Sequence, residues 1–231
     1  MDDSYVREFD ATIISCTGNI VVLDTTAFSP KGGGLPSDRG TLQRGDLTYE
    51  VVEVEKKGGE VNHVIKDASG LKAGDSVKGV IDWKRRHTIM RYHTACHVLA
   101  AVLHAGHSAL ITGNQIDVDQ SRMDFSVEAF DRDILNDCVG KANDHIARDM
   151  QVRIYTLERE KAMEIPGIVK LAKGLPPELK TLRIVEIGDV DIQADGGVHV
   201  ARTGEIGRIN IQKLENKGKS NRRVYLALSN P

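Results

Sequence analysis

The stretch Arg91-Tyr92-His93-Thr94-Ala95-Cys96-His97-Val98-Leu99 decides how the rest of the chain is read. Met90, Ala95, Val98, Leu99, Ala101, Val102 and Leu103 recur at helical spacing and predict a helix over 84–105. On that helix His93 and His97 share a face, ~6 Å apart along the axis. Two imidazoles so placed can hold a divalent cation, and imidazole suits zinc. An isolated pair reads more readily as one buried and one surface histidine, so a metal requires further donors. Asp195-Gly196-Gly197-Val198-His199 offers them. Its two glycines favour a tight turn over a helix, which lets a carboxylate and a third imidazole converge. By itself that stretch is also compatible with a hairpin turn and a surface Asp. His93, His97, Asp195 and His199 together make a four-donor zinc set. With Asp195 outside it, three histidines leave a position for water.

Working outward, residues 1–83 read as all-β. The runs 11–14 and 20–23, separated by Thr17-Gly18-Asn19, predict a hairpin. Residues 49–55 alternate, Gly58-Gly59 turns the chain, 61–65 returns it, and 77–83 follows a turn at 71–75. Short strands with regular turn signals predict a small barrel. Inside this half, Pro30-Lys31-Gly32-Gly33-Gly34-Leu35-Pro36 exposes backbone amides that a ligand can approach. It lacks the Lys-Ser/Thr of a phosphate-binding loop. Beyond the histidine helix come a strand pair (111–116, 122–126), a helix over 131–150, a strand over 152–156 and a short helix over 157–163. An irregular run punctuated by Pro166, Gly174, Pro176 and Pro177 follows, then strands at 182–187, 190–193, 207–214 and 223–228. The expected class is α+β. A small N-terminal β-barrel domain (1–83) precedes a two-layer domain (84–231) with helices packed on a mostly antiparallel sheet.

With 231 residues, 40% hydrophobic and 28% charged, the chain has the composition of a soluble globular protein, and disorder need not be invoked. No apolar run approaches ~20 residues, so no membrane helix is expected. The acidic start Met1-Asp2-Asp3-Ser4 lacks the order of a secretory signal. Three scattered cysteines (Cys16, Cys96, Cys138) indicate reduced thiols and a cytoplasmic location. A net charge of −2 makes any nucleic-acid contact depend on local basic patches.

These pieces resemble the AlaX-type alanyl-tRNA editing proteins, of the medium-length class, which are relatives of the editing domain of alanyl-tRNA synthetase. The resemblance covers nearly the whole chain. It rests on residues 26–40, His93-Thr94-Ala95-Cys96-His97, Asp195-Gly196-Gly197-Val198-His199-Val200, Thr203-Gly204-Glu205-Ile206-Gly207 and Lys217-Gly218-Lys219-Ser220-Asn221-Arg222-Arg223. It departs from the family pattern Cys-Gly-Gly-Thr-His, because Asp195 stands in the Cys place and Val198 in the Thr place. Carboxylate oxygen is an acceptable zinc ligand, though harder than thiolate.

The resemblance implies a trans-editing deacylase that removes serine, glycine or both from alanine tRNA, with one zinc ion per chain. Asp195 would be the fourth ligand or a general base. Thr112 and Gln115 would read the serine hydroxyl, so that alanine leaves a polar group unpaired. Backbone amides at Gly196-Gly197 or at Gly32, Gly33 and Gly34 are candidate donors to a developing oxyanion. Lys84-Arg85-Arg86, Arg91, Lys217, Lys219, Arg222 and Arg223 would meet tRNA phosphates. The partner implied is mischarged alanine tRNA, with no membrane and no obligatory protein partner. The competing classes are a metal-binding module without hydrolysis and a metal-dependent esterase of small molecules.

Overall fold

The computed structural model describes residues 3–127, 131–171 and 179–231. The expected irregular positions Gly174, Pro176 and Pro177 lie outside them. Close contacts divide the chain into two units, Asp3–Thr88 and Ile89–Pro231.

The first unit is a closed antiparallel barrel of β1 (Glu8–Thr17), β2 (Ile20–Leu23), β3 (Gly40–Arg44), β4 (Leu47–Lys57), β5 (Glu60–Ile65) and β6 (Ser76–Ile81). Around the barrel the order is β1-β2-β5-β4-β3-β6. Alternation sends Ile13, Val21, Leu42, Val51, Val54 and Ile65 into one apolar core. The sequence reading contains no strand at β3, a five-residue element bounded by glycines. Phe9 lies over Gly79 so closely that a Cβ there would meet its ring at 2.4 Å. β6 stops at Ile81 instead of running to Trp83. Asp82 ends it by capping a helix, its carboxylate accepting from the Arg85 amide at 3.1 Å.

That helix, α1 (Trp83–His107), carries Arg86, which the sequence reading counts among the residues that would meet tRNA phosphates. The structure buries it: Arg86 is fully enclosed. Its guanidinium donates to Asp38 (2.8 Å), to the Ser4 carbonyl (2.9 Å) and to the Ala27 carbonyl (2.6 Å). Asp38 also accepts from the Ser29 amide, so the base of the glycine-rich loop is tied down. At its tip the Gly32 and Leu35 amides each donate to the other's carbonyl, at 3.1 and 2.9 Å. Gly33 and Gly34 take φ of 60° and 87°, which glycine adopts without strain.

The second unit contains β7 (Ile111–Ile116), β8 (Ser121–Ser126), α2 (Arg132–Ala147), β9 (Val152–Glu158), α3 (Arg159–Met163), β10 (Thr181–Ile187), β11 (Asp191–Ala194), a 3-10 turn (Thr203–Ile206), β12 (Arg208–Asn216) and β13 (Asn221–Ser229). Its strands form two antiparallel sheets, β11-β10-β9 and β12-β13-β8-β7, in place of the single sheet expected. α2 is capped by Asp131, which accepts from the Ile134 amide, and packs on β12. It ends before Met150 because Asp149 takes a positive φ of 49°. Asn143 fastens it to β12, donating to the Ile209 carbonyl (3.1 Å) and accepting from the Ile209 amide (2.8 Å).

α1 differs from a surface amphipathic helix. Ile89, Met90, Tyr92, Ala95, Cys96, Val98, Leu99, Ala100 and Leu103 are all buried, so apolar residues occur on most sides of it. This makes α1 a rigid central support for the polar side chains it carries. None of the described helices is long and apolar enough to cross a membrane.

Candidate metal centre

α1 delivers His93 and His97, and the turn after β11 delivers Asp195 and His199. One donor atom from each of the four lies within 4.8 Å of the other three. Asp195 Oδ1 is 3.2 Å from His199 Nε2, and Oδ2 is 3.5 Å from His93 Nε2 and 3.8 Å from His97 Nε2. Ligands ~2.0–2.2 Å from a common zinc ion stand ~3.3–3.6 Å apart at tetrahedral corners. The Asp195 separations of 3.2, 3.5 and 3.8 Å lie around that range, and three imidazoles with one carboxylate are a donor set suited to a divalent cation. A methyl group on Gly197 would lie 2.5 Å from His93 Cε1, so only glycine lets the turn pass over that ring.

Each imidazole is oriented through its other nitrogen. His93 Nδ1 donates to the Val198 carbonyl at 3.2 Å, and His97 Nδ1 to Asp191 Oδ2 at 3.0 Å. His199 Nδ1 lies 3.1 Å from Thr94 Oγ1. With Nδ1 engaged in all three rings, Nε2 is the nitrogen each ring presents to a shared ligand. Asp195 is shaped by its own turn, its Oδ1 accepting from the Gly197 amide at 2.6 Å. That amide is thus engaged and not free for an oxyanion.

Burial dominates the electrostatics of His93 and His199, lowering His93 well below the usual imidazole range and His199 to about 4. Burial also opposes protonation of His97, but the Asp191 and Asp195 carboxylates outweigh it and push His97 up to about 9. Burial alone would raise Asp195, yet the surrounding imidazoles hold it well below the usual carboxylate range. Cys96 lies within the same helical run, where burial pushes its thiol up to about 12, and it is not among the four clustered donors.

The sequence of this chain has close relatives. Alanyl-tRNA editing protein AlaX-M of Methanosarcina mazei is 48% identical over 98% of this chain and 94% of its own length. The protein of the same name from Saccharolobus solfataricus is 46% identical over 97% and 95%. The chain belongs to the AlaX-M family of alanyl-tRNA editing proteins. An alanine–tRNA ligase of Ignicoccus hospitalis is 37% identical over 91% of this chain but only 23% of the ligase. Two family profiles also match, "Threonyl and Alanyl tRNA synthetase second additional domain" over 182–225 and "tRNA synthetases class II (A)" over 4–85.

In this AlaX-M chain the remaining candidate residues are placed less uniformly. Thr112 is exposed on β7 and donates to Asn221 Oδ1 at 2.9 Å. Gln115 lines a cavity of about 280 Å³ with Asp117, Asp119, Gln120, Arg122 and Tyr225. Gly32, Gly33 and Gly34 belong to the barrel unit. Arg91 is turned onto backbone, donating to the carbonyls of Ile206 (2.9 Å) and Ser229 (2.7 Å). Arg223 forms a two-pronged pair with Asp124, at 2.7 and 2.8 Å. Arg222 closes the β12–β13 turn through Asn216 and Gly218, leaving Lys219 exposed at its tip. Sequence reasoning missed Thr94, Asp191 and Gln193, which support the cluster. Their signal was polarity on a buried face, since β11 alternates buried and half-buried positions with Asp191 and Gln193 on the inner side.

Proposed function

We propose that this AlaX-M protein hydrolyses the ester linking serine, glycine or both to alanine tRNA, using zinc held by His93, His97, Asp195 and His199. One observation carries the reading: three oriented imidazoles and one carboxylate converge within 4.8 Å. A divalent cation bound there supplies positive charge that polarises the ester carbonyl and favours attack by water. His93, His97 and His199 present Nε2, held in place by Val198, Asp191 and Thr94. The Asp195 side chain is 24% exposed against 0–9% for the three imidazoles, so the ester reaches the centre from the Asp195 side. With the Gly197 amide engaged by Asp195, the Gly196 amide is the donor of that turn left for a developing oxyanion. Thr112 and Gln115 read the serine hydroxyl, and the exposed Lys219 contacts phosphate. The protein acts in the cytoplasm, with one zinc per chain.

The test is deacylation of serine-, glycine- and alanine-charged alanine tRNA by purified protein, with and without a chelator. Chelator-sensitive loss of serine or glycine while alanine survives is the expected result. No loss from folded, zinc-loaded protein would overturn the reading in favour of a metal-binding module. Undiminished hydrolysis of simple amino-acid esters after Lys219→Ala, with tRNA esters untouched, would favour a small-molecule esterase.

A further inference from the structure

We propose that Lys170 is a positioning residue for the metal centre, acting through Asp191 on His97; this rests on the metal reading above. Lys170 and Asp191 are buried charges, 6% and 5% exposed, and neither belongs to the four-donor cluster. Lys170 Nζ lies 2.7 Å from Asp191 Oδ1. The other oxygen, Oδ2, accepts from His97 Nδ1 at 3.0 Å and from Gln193 Nε2 at 2.8 Å. The ammonium is itself fixed by the carbonyls of Gly167 (3.0 Å) and Ile192 (3.3 Å). A line of contacts thus runs from Lys170 through both carboxylate oxygens to a ligand imidazole.

Two physical consequences follow. A buried carboxylate without a cation is costly, and Asp191 adds a negative charge close to a site already holding Asp195. Lys170 offsets that added charge, so Asp191 can orient His97 without adding net negative charge beside a cation the site would hold. Asp191 and Lys170 also line a cavity of about 490 Å³ with His104, Pro166, Gly167 and Glu186, and no cluster ligand lines it. Without the ammonium, the Asp191 carboxylate, which borders that cavity, can hydrate and turn away, releasing the His97 ring. Partners behind a ligand histidine typically govern ~10–100-fold in metal affinity.

The test measures zinc affinity of the full chain by competition with a chromophoric chelator, together with the visible spectrum of the cobalt-loaded protein. Lys170→Gln keeps amide donors for the two carbonyls and removes the charge. It is expected to weaken zinc binding ~10–100-fold and to shift the cobalt bands. In an Asp191→Asn background the same substitution should change affinity less than about threefold, because the effect travels through Asp191. An unchanged affinity and spectrum in folded Lys170→Gln, or an equal loss in both backgrounds, would overturn the proposal. Should Lys170→Gln not fold, Lys170→Arg carries the test. Affinity kept within about threefold supports a charge role, and a tenfold loss in folded protein counts against it. Failure of the unsubstituted chain to bind zinc would remove the metal reading and this inference together. Zinc binding indifferent to Lys170 removes this inference alone.

Discussion

A methyl group on Gly197 would sit 2.5 Å from His93 Cε1 and 2.8 Å from Nδ1, whereas on Gly196 it would meet nothing within 4 Å. Gly197→Ala should therefore push the His93 ring off its place and weaken zinc at least ~10-fold, while Gly196→Ala binds zinc normally. Chelator competition on the two variants checks the pair. His97 yields a pH prediction at the same scale. Its imidazole, raised to about 9 without a cation, is protonated at neutral pH, and a metal takes only the neutral ring. Zinc binding at pH 7 should then release about one proton, and apparent affinity should climb ~10-fold per pH unit until the pH passes that of the raised group. Calorimetry in buffers of different ionisation enthalpy measures the proton directly. A release near zero would mean that His97 is neutral beforehand.

The elements are held by a few polar fastenings more than by propensity. Asn143 is 6% exposed and satisfies both backbone groups of Ile209. Asn143→Leu keeps the volume but strands an amide and a carbonyl, at a cost of roughly 2–3 kcal/mol. Denaturant unfolding should show it as a lower midpoint with an unchanged slope. What was legible in the sequence follows the same division. Period and turn chemistry reveal most elements, because an apolar face repeats along the chain: the 11–14 and 20–23 hairpin and both long helices are read that way. β3 escapes, since five residues between glycines carry no period worth counting. The convergence of α1 with the Asp195 turn is suggested by donor chemistry, whereas Thr94, Asp191 and Gln193 act through contacts that spacing along one element does not encode.

At the scale of a whole unit, Arg86 joins three distant stretches of the barrel at Ser4, Ala27 and Asp38. Its type and neighbours, Lys84 and Arg85, argue for a solvated face, and nothing local announces an enclosed carboxylate partner. Arg86→Met leaves Asp38 as an uncompensated buried charge and should destabilise the barrel by roughly 3–5 kcal/mol. The double variant Arg86→Met with Asp38→Leu should recover part of that loss. Thermal unfolding of the unsubstituted chain and the two variants checks it; equal midpoints for the single and double variants would mean that the stranded Asp38 charge is not what destabilises Arg86→Met.

If the cluster holds zinc as proposed, Asp195 in the place where the resemblance expects cysteine gives the centre a different chemical lifetime. A thiolate ligand climbs the oxidation ladder under peroxide and lets go of its metal, and a carboxylate has no such ladder. Of the three thiols, Cys96 and Cys138 are enclosed and Cys16 is half-buried on the barrel, so none is a donor here. Zinc content should therefore survive peroxide that strips a relative with cysteine at this position, measured by metal analysis after desalting. On the proposed reading, a carboxylate in that place gives up some softness toward zinc and would free the candidate centre from the redox state of its surroundings.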